Sequence, residues 1–106
     1  MDVERMKDVL RKAGEPAFSR HFDEPKVATR GIKDDVAGAL RRPDALCLVR
    51  DRGDDLDPRG HKYLLLFDKS SRYDLKVVVS ILAGKAKVIT AHVQNKKRRR
   101  AYANEA

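Results

Sequence analysis

The chain has 106 residues, 42% of them hydrophobic and 38% charged, with a formal net charge of +8. That length supports one domain, residues 1–106, with a modest core. No apolar run is long enough to cross a bilayer and the N-terminus lacks a secretory pattern, so the cytoplasm is the expected compartment and no membrane is expected as a partner; a single cysteine excludes an internal disulfide.

Val3, Met6, Leu10 and Ala13 stand at helical spacing, with Asp2 as cap and Gly14 as stop, and predict a short amphipathic helix. Pro16 is suited to open a second helical turn carrying Ala17, Phe18, His21 and Phe22, before Pro25 interferes. Residues 26–30 give a further turn ended by Gly31. Ile32 and Val36 have the spacing of a hydrophobic staple, and Val36, Ala37 and Leu40 form one apolar stripe that Pro43 closes.

A first strand is expected over residues 45–50, with Cys47 as a small buried hydrophobe. Residues 51–60 then make a polar loop with two glycines and a proline. Asp51, Asp54, Asp55 and Asp57 lack the spacing and closing glutamate of a calcium loop, and Arg52 and Arg59 compete for them, so a long hairpin loop is expected rather than a metal site. Three more strands follow, over residues 62–67, 73–82 and 86–93.

The loop before the last strand decides which side chains share a face. With a three-residue loop, Leu82 faces Ala86, the pairs Val79/Ile89, Val77/Ala91 and Leu75/Val93 share the apolar face, and Ser80/Val88, Val78/Thr90 and Lys76/His92 share the other. A two-residue loop puts His92 on the buried face, where an unpartnered imidazole costs about 1–3 kcal/mol. The three-residue register is therefore expected, gathering Lys76, Thr90 and His92 away from the core. The fold class is α+β: two or three N-terminal helices (1–44) packed on a four-stranded antiparallel sheet (45–93), with a basic tail (94–106) that can be helical.

Lys96, Lys97, Arg98, Arg99 and Arg100 form one basic run. Such a block favours polyanions by releasing their counterions, or an acidic protein partner; a solvated tail is the plain alternative. Without a cysteine pair, a histidine cluster or a glycine-rich phosphate loop, no metal and no cofactor are expected. RNA cleavage needs neither. The 2′-hydroxyl beside the scissile phosphate is the nucleophile, and the protein supplies a base, an acid and cations. His21, His61 and His92 are candidates for proton transfer, and Arg30, Lys62, Arg72 and Lys76 for charge stabilisation. His21 beside Phe22 reads equally as a core-edge residue, and His61 beside Gly60 as an exposed loop residue. His92, near Thr90 and across from Lys76, is better placed.

These residues carry a resemblance. Arg20-His21-Phe22-Asp23, Thr29-Arg30-Gly31-Ile32-Lys33-Asp34-Asp35-Val36 and Leu40-Arg41-Arg42-Pro43-Asp44 look like the start of small proteins of the barnase/EndoU/colicin/RelE nuclease superfamily, the BrnT-like toxins and their relatives foremost. His61-Lys62-Tyr63-Leu64, Ser70-Ser71-Arg72, Leu75-Lys76-Val77-Val78-Val79, Val88-Ile89-Thr90-Ala91-His92 and the ending Arg98-Arg99-Arg100-Ala101-Tyr102 are similar to later segments of that family. The resemblance implies a RelE-like fold, metal-free ribonuclease activity, and inhibition by a cognate, acidic antitoxin. By position it implies catalytic roles for His21, Arg30, Thr90 and His92, with Lys62 and Arg72 lining the RNA groove. The leading expectation is therefore a toxin-type endoribonuclease in which His21 and His92 share the base and acid roles while Arg30, Lys76 and Arg72 clamp phosphate. The alternative is a binding module that kept the fold without catalysis.

Overall fold

The computed structural model describes residues 1–20, 30–52 and 60–99, with Arg30 and Gly31 as backbone only. Helix α1 (Val3–Ala13) begins where the Asp2 carboxylate accepts the Arg5 amide at 2.8 Å and ends at Gly14, whose φ is +70°. It buries Met6 and Leu10, one helical turn apart. Helix α2 (Arg30–Arg41) buries Val36, Ala37 and Leu40 and stops before Pro43, which opens a short 3-10 turn. Because α2 already begins at Arg30, Ile32 lies inside it and forms no staple ahead of it. Among the described residues no helix is long and apolar enough to cross a membrane.

The strands are β1 (Ala17–Phe18), β2 (Leu46–Asp51), β3 (His61–Asp68), β4 (Tyr73–Leu82) and β5 (Lys85–Asn95). The class is α+β, but the sheet is five-stranded and mixed, in the order β1-β5-β4-β3-β2, not a four-stranded antiparallel one. The added strand takes Ala17 and Phe18 from the helical turn expected after Pro16, whose remaining residues His21 and Phe22 lie outside the described residues. Ala17 and Phe18 run parallel to β5, opposite Lys87 and Val88. The Ser19 amide donates to the Val88 carbonyl and its hydroxyl to the Ile89 carbonyl, both at 2.9 Å. An extended segment here satisfies edge carbonyls of β5 and still sets Phe18 against the core, which outweighs one isolated turn of helix.

The register of the last hairpin differs from expectation at the turn and agrees beyond it. The loop is two residues long: Leu82 pairs with Lys85 and Ile81 with Ala86, so Leu82/Ala86, Ser80/Val88 and Val79/Ile89 do not form. Ala83 and Gly84 both have positive φ, +51° and +75°, as a type I′ turn requires. Val79 then faces Val88 while Val78 faces Thr90, leaving Ile89 as an extra residue in a bulge. Beyond it, Val78/Thr90, Val77/Ala91, Lys76/His92 and Leu75/Val93 are the pairs the sequence predicts. The extra residue sits in the strand instead of the loop, and the parity of everything after it is unchanged.

Both helices cover one face, where Leu65, Phe67, Val77, Val79 and Val88 meet Met6, Leu10, Val36 and Leu40. The other face holds the fully buried Leu64 and Leu66, packed with Leu48, and the buried Asp74, Ser80 and Gln94. Cys47 is exposed, contrary to expectation, because the β2 register shifts between Leu46 and Leu48 and turns it out of the alternation. Its thiol donates to the Leu66 carbonyl at 3.2 Å.

Candidate nucleic-acid interface

Alternation along β4 sends Asp74, Lys76, Val78 and Ser80 to the face without helices, opposite Gln94, His92, Thr90 and Lys87 of β5. Lys62, opposite Ser80 on β3, joins the same face. His92 is exposed and Lys76 and Thr90 are half-buried. Partial desolvation, and then the positive charges of Lys76 and Arg98, hold the His92 imidazole below its ordinary pKa. A ring kept neutral near pH 7 with two cations beside it suits accepting a proton next to an anion.

The basic run reaches this face through a problem in the sheet. Asp68 and Asp74 stand directly opposite each other on β3 and β4, and like charges so placed repel. The chain leaves β5 in a 3-10 turn, Lys96–Arg98, whose three-residue period puts positions 96 and 99 on one side. Lys96 bonds the Asp68 carboxylate. Arg99 grips Asp74 with two bonds, Nε to Oδ2 at 2.6 Å and Nη2 to Oδ1 at 2.5 Å. Asp74 is fully buried, and its hydrogen bonds raise the Arg99 pKa further above its ordinary value, while the bond from Lys96 holds the Asp68 carboxyl below its own. Asn95 fixes the turn, its side-chain oxygen accepting the Lys97 amide at 2.9 Å, and the Lys96 amide donates to the Arg72 carbonyl at 2.9 Å. Lys96 and Arg99 are thereby anchors. Lys97 and Arg98 point away, exposed, and with Arg72 they make no ion pair within the described residues.

Sequence reasoning missed a carboxylate–imidazole pair. His61 is the first residue of β3, not a loop residue; its Nε2 lies 2.5 Å from Asp51 Oδ1 and its ring centroid 4.7 Å from that of Tyr63. The signal was present: Asp51 and His61 bracket the polar loop, and strands meeting there bring them to diagonal positions beside the Asp51/Tyr63 pair. Alternation sets His61 with Tyr63, Leu65 and Phe67 on the helix side, so His61 and His92 belong to opposite faces. His21 and Arg100 lie outside the described residues, as do residues 26–29 of the turn expected over residues 26–30, and Arg30 is placed only as the start of α2. Among the described residues no three His, Cys, Asp or Glu side chains group as metal ligands. In comparison with known proteins, no family model matches the chain, and neither curated proteins nor solved structures give a match.

Proposed function

We propose that the protein is a metal-independent endoribonuclease acting in the cytoplasm as the toxin of a toxin–antitoxin pair. The observation that carries this reading is His92, kept neutral on the face without helices, across from Lys76 and beside Arg98. His92 takes the proton of a 2′-hydroxyl, the freed oxygen attacks the adjacent phosphorus, and Lys76 and Arg98 balance the charge that builds on the phosphorane, with Arg72 and Lys62 as further contacts to the strand. Thr90, next to His92 on this face, positions substrate. The resemblance supplies the remaining roles: His21 returns a proton to the departing 5′-oxygen and Arg30 clamps phosphate. An acidic antitoxin that neutralises the basic face rests on that resemblance as well.

Purified protein is expected to cleave single-stranded RNA in EDTA and leave 2′,3′-cyclic phosphate ends, and His92→Ala to lower the rate by about 10² or more. Intact RNA in the presence of excess wild-type protein overturns the proposal. A second reading, a nucleic-acid-binding module without catalysis, is favoured by the placement of His61 and His92 on opposite faces, which leaves no second described imidazole beside His92. It requires RNA binding that is steeply salt-dependent, unaffected by His92→Ala, and without cleavage.

A further inference from the structure

We propose that the cavity between the β3–β4 turn and the C-terminal 3-10 turn is a phosphate subsite for single-stranded RNA, and that the basic run is divided between anchors, Lys96 and Arg99, and RNA contacts, Lys97 and Arg98. This deepens the ribonuclease reading and rests on it for the choice of RNA as the polyanion. The cavity measures about 340 Å³ and is lined by Ser71, Arg72, Asn95, Lys96 and Lys97. Every lining side chain is polar or cationic. It has room for a phosphate and the water around it, since one liquid water takes about 30 Å³.

Its charge balance selects an anion. Asp68 matches Lys96, whereas Arg72 and Lys97 have no ion-pair partner within the described residues. The Asn95 side-chain oxygen is occupied by the Lys97 amide, which leaves its nitrogen as the donor available to the cavity, beside the Ser71 hydroxyl. The walls are fixed. The Lys96 amide is bonded to the Arg72 carbonyl, and the Tyr73 amide to the Ser70 hydroxyl oxygen at 3.2 Å. Position favours a polymer: Lys97 lines the cavity, and the next residue, Arg98, is close enough to His92 to oppose its protonation. An RNA strand with one phosphate at His92 therefore meets Arg98 and then the cavity at a neighbouring phosphate. Anchoring through positions 96 and 99 is what turns positions 97 and 98 outward.

The test measures binding of a fluorescein-labelled 2′-O-methyl oligoribonucleotide, which has no free 2′-hydroxyl to attack, to the full chain across a salt series. Arg72→Ala/Lys97→Ala is expected to weaken binding about five- to tenfold and to lower the slope of log K against log salt by about 0.7 to 1.4, one or two phosphates on a single strand. The control Arg5→Ala/Lys12→Ala, on α1, stays within about twofold. Melting temperatures of both variants should equal that of wild type. A cavity variant that binds with unchanged affinity and slope, or loses no more than the control, overturns the subsite. So does a wild type that prefers a polyglutamate peptide to RNA of equal charge, because the cavity then belongs to an acidic protein. Cleavage of unmodified RNA, followed in parallel, separates the two proposals: cleavage without the binding loss removes only the subsite, and the binding loss without cleavage removes only the catalytic role.

Discussion

The two faces of the sheet are closed by different physics. On the helix side, Phe67, Val77 and Val79 are sealed by Met6, Leu10, Val36 and Leu40, a non-directional contact with no charge to screen or titrate. On the other side, a single turn of chain is held to the Asp68/Asp74 end by two cations, and the face beyond it keeps His92 and Lys76 near solvent. The first face supplies stability. The second adds its own buried Leu64 and Leu66 but also leaves cationic side chains near solvent.

Truncating each face separates the two. Phe67→Ala is expected to cost about 3–5 kcal/mol in urea unfolding, independent of salt, through lost transfer energy and the cavity left behind. Arg99→Ala is expected to cost about 2–3 kcal/mol, because it strands the buried Asp74 carboxylate, while solvent at the 37% exposed Arg99 side chain screens part of the interaction. Replacing both members, Asp74→Leu with Arg99→Leu, should recover most of that loss. A double variant as unstable as Arg99→Ala would show that the ion pair is not what holds the turn.

A smaller effect sharpens the electrostatic half. The proposed role of His92 as base requires a neutral ring, so kcat/KM for RNA cleavage is expected to fall as pH drops through its folded pKa, which lies below the ordinary 6.5. Lys76→Ala removes one of the two charges that depress it and should move that acid limb upward, towards 6.5, while the part due to burial remains. An unmoved limb would separate Lys76 from the titrating group. Smallest is the hairpin itself: Ala83 has φ +51°, so Ala83→Asn, a residue that tolerates this region, should stabilise by about 0.5 kcal/mol in thermal unfolding.

The elements read from periodicity were legible where one physical rule dominated. Asp2 and Gly14 bracket α1, and β4 is found over Tyr73–Leu82 as its alternation requires. The juxtaposition of Lys76 with His92 was legible too, because it depends on parity, and a bulge at Ile89 restores the parity that a shorter loop removes. What stayed hidden was non-local. Nothing near Ala17 and Phe18 announces a strand whose partner lies some seventy positions later. Nor does a run of like charges reveal which members face carboxylates: Lys96 and Arg99 are told apart from Lys97 and Arg98 only by the 3-10 period and by Asp68 and Asp74 lying opposite one another. The exposure of Cys47 follows from a local irregularity that composition does not encode.

The clasp that Ser19 makes on the Val88 and Ile89 carbonyls also orders events during synthesis. Strands β2 to β5 can zip together through successive hairpins as each emerges, whereas β1, made early, has no edge to join until nearly the last strand has left the ribosome. A chain arrested before residue 87 is thus expected to leave Ala17 and Phe18 without a strand partner, even where α1 already packs on β2.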